Sequence, residues 1–224
     1  MNNKLQIKRL VGISTLCAIA FVLQYWISGM LPKLPLGGGT AINLALIPVV
    51  VGAILYGPKG GLTVGLFLGG VTLLPGQGAE GFYVNWYMTL LAIVLCLAKT
   101  GVAGLVAGLV FKLLSKKKFT VGVLSAGLVT PVVNTGIFIL LYGVLIQIMT
   151  GTAYGVTFVA VLGAVAWAFI IEVIINILMG PGICTLIKVL TRNYNLGFTN
   201  DFSNIHEELE EDIDYDSIGW YRKF

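Results

Sequence analysis

Lys99 and Glu172 are the residues least at ease with their surroundings. Each lies far inside a long apolar run, and they are the one base and the one acid so placed. An unpaired charge in such a setting costs several kcal/mol, so the two are expected to pair. The pair would serve either as a structural tie between two helices or as the floor of a pocket facing a polar solute. Asn134, Asn176 and Gln24 also interrupt apolar runs. At 1.5 Å per residue from the nearest basic residue, Glu172 stands about 24 Å from Lys188, Asn134 about 24 Å from Lys118, and Gln24 about 22 Å from Arg9. On the same scale Lys99 stands about 20 Å from Lys112, and Asn176 about 18 Å from Lys188. Four different segments thus place polar groups in one layer, where the amides offer both donors and acceptors. Beyond it comes an aromatic and amide group, Gln77, Tyr83, Asn85, Trp86 and Tyr87. This group fits either an interfacial aromatic belt or a stacking rim over a small-molecule site. The Gly-rich loop Leu31 to Thr40 is a candidate lid, and Trp167 is a candidate for rim or belt.

The elements that carry these residues are membrane spans. Of 224 residues 57% are hydrophobic and 11% charged, with a mean hydropathy of +0.93, whereas a soluble domain carries about 25% charged residues. The first apolar run, Leu10 to Met30, is longer than the apolar core of a signal peptide and reads as span 1. Spans 2 and 3, from about Asn43 to Tyr56 and Gly61 to Leu74, flank the turn Gly57-Pro58-Lys59-Gly60. Both are short of the roughly 20 residues a crossing needs, which implies little tilt or partial shielding by protein. Span 4 runs from about Trp86 to Leu114, with a possible kink at Lys99-Thr100-Gly101. Span 5 runs from Thr120 to about Met149 and contains Pro131. The stretch Gly155 to Leu190 exceeds one simple span; it divides into an interfacial or re-entrant part up to about Val165 and span 6, bent at Gly180-Pro181.

The basic residues orient this bundle. Residues 1–200 hold twelve Lys or Arg against two acids, Glu80 and Glu172. Lys4, Lys8 and Arg9, then Lys59, then Lys112 and Lys116 to Lys118, then Lys188 and Arg192, all fall on one side if six spans start in the cytoplasm. The expected architecture is therefore an all-α integral membrane protein with six transmembrane helices, N-in and C-in, over residues 1–192. Residues 193–224 form an acidic cytoplasmic tail, since 201–224 hold eight acids and two bases. The charge pattern does not point to nucleic acid. Small residues repeat at four-residue spacing: Ser14 and Ala18; Gly61, Gly65 and Gly69; Gly104 and Gly108. Such spacing serves internal packing or, on span 1, docking of another subunit's helix. Cys17, Cys96 and Cys184 lie in apolar segments without metal-ligand spacing. There is no Walker A sequence, and the sole histidine, His206, sits in the acidic tail. Neither a nucleophile with its base nor a carboxylate cluster is evident, which argues against catalysis. One polar layer above an apolar inner half favours a closed pocket over a stand-alone channel or an intramembrane enzyme.

Ala41 to Gly70, AINLALIPVVVGAILYGPKGGLTVGLFLGG, resembles the substrate-binding S components of energy-coupling factor (ECF) vitamin transporters. An apolar span with the Ile47-Pro48 step leads into the Gly57-Pro58 turn and a Gly-rich third span, as in that family. KTGVAGLVAGLVFKLLSKKK in span 4, TPVVNTGIF from Thr130 to Phe138, and IEVIINILMGPGI from Ile171 to Ile183 extend the similarity over about residues 5–192. The resemblance implies a six-helix, multi-pass subunit in the plasma membrane of a prokaryote, with no cofactor and no ATPase of its own. Its partners would be a membrane coupling subunit and two ATPases, with toppling in the bilayer carrying a vitamin inward. It places a vitamin-sized pocket near the outer face, so Gln77, Tyr83, Asn85, Trp86, Lys99, Asn134, Glu172 and Asn176 become the expected substrate-binding residues. Family members dock through an Ala-x-x-x-Ala pattern on span 1; Ser14 and Ala18 are the nearest equivalent, with Ser replacing the first Ala. The local pattern is nearest to the branch containing pantothenate, whose carboxylate Lys99 would suit. Riboflavin or folate would instead draw on stacking by Tyr83, Trp86 and Tyr87.

Overall fold

A computed structural model describes residues 3–28, 43–75, 77, 83, 85–116, 118–151 and 153–193. The candidate lid at 31–40, Glu80 and the acidic tail lie outside these residues. The elements are α1 (Asn3–Val22), continued by a π-helical turn at Leu23–Ser28, then α2 (Leu46–Val71), α3 (Trp86–Leu114), α4 (Phe119–Thr150) and α5 (Tyr154–Asn193). All five α-helical stretches are long and apolar enough to cross a membrane.

α2 is a hairpin. Gly57 has φ 72° and ψ −170°, a non-helical conformation inside the segment that is essentially restricted to glycine. Pro58 follows, disfavouring helical geometry at Gly57 and supplying a fixed φ for the first turn of the next helix. The arms, 46–56 and 58–71, therefore fold back on each other. A β-carbon on Gly52 would stand 3.0 Å from Val64, and one on Gly61 would stand 2.7 Å from the Ala53 side chain. On a straight helix Gly52 and Val64 would be about 18 Å apart. Six helical segments result, and the spans expected at 43–56 and 61–74 correspond to the two arms. Each arm is shorter than a full crossing, and the hairpin is the most deeply enclosed of the candidate spans.

Three expectations need correction. α3 runs unbroken through Lys99-Thr100-Gly101, where the Thr100 hydroxyl donates to the Cys96 carbonyl at 2.9 Å. The stretch from Tyr154 is one continuous 40-residue helix through Pro181, without a break where the candidate span begins at Val165. Glycines in apolar company do not break a helix when no water competes for its backbone groups. Span 1 starts earlier than expected, at Asn3, and widens to a π turn after Val22.

Glycines fix how the second arm of α2 meets α3. A β-carbon on Gly61 would collide with the Gly104 carbonyl, on Gly65 with that of Thr100, and on Gly69 with that of Cys96. Gly108 meets the backbone of Gly57 and Pro58 in the same way. The four-residue glycine spacing is thus spent on internal backbone contact, the kind of approach that holds helices together in lipid.

Three apolar clusters surround this contact. The first joins Val50 to Tyr56, Phe111, Phe119, Val123, Ile183 and Ile187. The second, at the other end of α3 to α5, joins Met88, Leu95, Phe138, Tyr142 and Val165. The third ties Ala20 of α1 to Leu46, Val49, Val64 and Leu68 of the hairpin. The basic residues sit with the first cluster: Lys59 at the hairpin turn, Lys112, Lys118 and Lys188 beside Phe111, Phe119 and Ile187, and Arg9 donating to the Tyr56 carbonyl at 3.4 Å.

Gly65→Leu is expected to destabilise the protein by about 1–3 kcal/mol or more, since backbone rather than a flexible side chain blocks the added atoms. Gly70→Ala, where nothing lies within 4 Å, should unfold at or above the wild-type temperature. Thermal unfolding of both variants in detergent checks this.

Candidate functional site

Between the first and second apolar clusters α3, α4 and α5 each carry polar residues. Lys99 lies between Leu95 and Ala103, Asn134 and Thr135 between Ala126 and Phe138, and Glu172 and Asn176 between Val165 and Ile183. Glu172 is 6% exposed, Asn134 6% and Asn176 3%.

Glu172 is the centre of the group. Its Oε1 accepts the backbone N–H of Asn43 at 2.7 Å, just before the N-terminus of α2, where free N–H groups and the helix dipole favour a negative charge. Thr135 of α4 also hydrogen-bonds the carboxylate. Asn176, one turn on, donates to the Glu172 carbonyl at 2.8 Å. The carboxylate therefore ties α5 to α4 and to the hairpin, although residues 43 and 172 are far apart in sequence.

Lys99 acts electrostatically on Glu172, but no direct ion pair joins them, contrary to expectation. The ammonium instead stands over the Phe138 ring, 5.1 Å from its centroid. Phe138 stacks on Tyr142 at 4.8 Å between centroids. A cation–π contact of this kind is worth about 0.5–2 kcal/mol, depending on desolvation.

The amides are only partly satisfied. Gln24 Nε2 donates to Gln77 Oε1 at 3.0 Å, linking the π turn after α1 to the segment after α2. Among the described residues four buried amide oxygens have no hydrogen-bond partner: those of Gln24, Asn43, Asn134 and Asn176. Unpartnered buried acceptors are uncommon and each costs about 1–3 kcal/mol. Two of these oxygens belong to residues hydrogen-bonded to Glu172, Asn43 through its backbone N–H and Asn176 through its side-chain Nδ2. The Asn134 oxygen adjoins Thr135 in sequence, and the Gln24 oxygen belongs to the side chain bonded to Gln77.

The structure thus brings together Lys99, Asn134, Glu172 and Asn176, with Gln77 buried beside Gln24. Gln77 apart, the aromatic and amide residues expected beyond this layer stand outside it. Tyr83 donates to the Leu73 carbonyl at 2.6 Å and is exposed. The Asn85 side chain makes a long exposed contact, Nδ2 to the Tyr87 hydroxyl at 3.4 Å, and Trp86 is 80% exposed. Sequence reasoning missed Asn43, Thr135 and Phe138. Thr135 adjoins Asn134, and Phe138 follows it by one helical turn, so a polar–aromatic stripe on span 5 was a usable signal. Asn43 contributes a backbone N–H, which no side-chain inventory shows.

Ser14 and Ala18 lie on the exposed face of α1, together with Ile7, Leu10, Val11 and Val22. The opposite face meets the hairpin through Gly12 against Tyr56 and Leu16 against Gly52.

Residues 8–191 match the profile of a family described as ECF transporter, substrate-specific component. The chain belongs to this family. An S component is a substrate-binding transport subunit, not an enzyme, and this one is a multi-pass membrane protein. The thiamine transporter ThiT of Bacillus subtilis is 33% identical to it over 129 residues, which cover 56% of this chain and 64% of that relative. The aligned region thus spans less than two thirds of the relative's length. No solved structure matches the chain.

The Gln24–Gln77 bond predicts a non-additive pair. Gln77→Leu alone should destabilise by about 1–3 kcal/mol by leaving Gln24 unpaired, while Gln24→Leu added to it should recover most of the loss. Unfolding temperatures of the two single variants and the double variant measure the coupling.

Proposed function

We propose that this S component captures a cationic, amine-bearing vitamin of the thiamine type and delivers it to an energy-coupling module. One observation carries the reading: a buried carboxylate whose hydrogen-bonded neighbours Asn43 and Asn176 carry amide oxygens that lack donors. A ligand with a positive ring and an amino group supplies the missing charge and N–H donors. The similarity to a thiamine transporter supports the same ligand. Pantothenate, the substrate expected from sequence, gains no support. Its carboxylate would meet Glu172 and unpaired acceptors, and the Lys99 that would receive it is engaged with Phe138. Riboflavin and folate would need an aromatic platform, but Trp86 and Tyr83 stand outside the buried group.

In this reading Glu172 binds the ligand's charge or amino group, while Asn134 and Asn176 accept its N–H groups. Gln77 helps close the site together with Gln24. The expected rim residues Tyr83, Asn85 and Trp86 would act only from the entrance. The chain would lie N-in and C-in in the plasma membrane of a prokaryote, with its basic end toward the cytoplasm. Ser14 and Ala18 would face a membrane coupling subunit, itself driven by two ATPases, because they form a small, exposed surface on a helix otherwise rimmed by apolar side chains.

A thermal-shift comparison of the purified chain with thiamine, pantothenate, riboflavin and folate tests the ligand. Thiamine at 100 times its dissociation constant should stabilise the folded state by about 2.7 kcal/mol without ATP or partners. Glu172→Gln should lose most of that shift. Stabilisation by pantothenate but not thiamine would overturn the reading.

A further inference from the structure

We infer that the Lys99 ammonium is a resident cation, held where a ligand's positive charge binds between Phe138 and Glu172, and displaced when the ligand enters. The inference rests on the cationic-ligand reading above and adds a residue that sets how strongly charge is selected. Among the described residues Lys99 is the one cation in the polar layer; the remaining bases stand at helix ends or beside the first apolar cluster. Its ammonium has no hydrogen-bond partner among them and rests on the Phe138 face. Glu172 feels its charge without bonding it, and the amide oxygens of Asn43 and Asn176, whose residues bond Glu172, remain unpaired although an ammonium carries three donors. A structural ion pair would have closed that distance. A lysine on a flexible four-carbon stem that is only partly buried can instead swing its head away along the helix.

The electrostatics give the sign of the effect. A ligand cation seated on Phe138 would face Lys99 as a like charge at short range in a low-dielectric setting, so Lys99 must withdraw. Removing the lysine charge therefore tightens binding of a cation. If Lys99 instead received an anionic group of the ligand, removing it would weaken binding.

The test is calorimetric titration of the full chain in detergent with thiamine, for wild type, Lys99→Gln, Lys99→Met and Lys99→Arg. An analogue with an uncharged ring in place of the thiazolium serves as the comparison. The glutamine and methionine variants should bind thiamine about tenfold more tightly, the arginine variant should match wild type, and affinity for the uncharged analogue should not change. Thiamine binding by wild type with equal or weaker binding by the uncharged variants overturns the displacement while leaving the ligand reading intact. Absence of thiamine binding by every form overturns both. A second measurement needs no variant: saturating thiamine should raise the acetylation rate of Lys99 in the wild-type protein severalfold, read by mass spectrometry. A lower rate would mean that the ligand covers the lysine, and would also overturn the displacement.

Discussion

Everything in the bundle is referenced to the backbone contact between the second arm of the α2 hairpin and α3. In lipid no hydrophobic effect drives helices together, so close packing must supply the attraction. Gly61, Gly65 and Gly69 meet the carbonyls of Gly104, Thr100 and Cys96 at a separation that excludes even a methyl group. This contact fixes the register of α3 against the hairpin. The register in turn sets Lys99, the neighbour of Thr100, at the depth of the polar groups on α4 and α5.

The hairpin does a second job through its length. Eleven residues of helix extend about 16 Å, so the first arm cannot reach from the basic end of the bundle to the far side. Its N-terminus stops partway, and the N–H of Asn43 arrives at Glu172. A full-length span would have carried that terminus to the membrane surface and left the carboxylate without its charge-assisted donor. The Gly57-Pro58 turn is thus coupled to the site at the other end of the arm. A substitution at Gly57, whose φ of 72° disfavours any side chain, would disturb the site without touching it.

Much of this was legible in the chain. The six helical segments followed from apolar run lengths and the Gly-Pro turn, because lipid leaves the backbone few alternatives to helix. That Lys99, Glu172 and Asn176 fall close to one another along their helices was legible from counting residues, because a helix rises uniformly. What the counting could not give was direction around the helix axis. It placed Lys99 and Glu172 at one height and took them as a bonded pair, whereas the lysine turns onto Phe138. It left Tyr83, Asn85 and Trp86 open between a belt and a rim, and the 80% exposure of Trp86 leaves that choice open. Length alone also does not say whether an apolar stretch breaks or continues as one helix, as α5 does over 40 residues.

The first apolar cluster has a consequence for the cell as a whole. Val50, Ile54, Phe111, Val123, Ile187 and their neighbours fill the bundle between the polar layer and the basic end, and each is almost completely enclosed. Among the described residues this cluster is apolar apart from the Tyr56 hydroxyl and the Cys184 thiol, and transfer of a bare proton or sodium ion into such a medium is costly. Packing of this kind opposes ion leak through the bundle. A membrane crowded with copies of the subunit would keep the ion gradients across it.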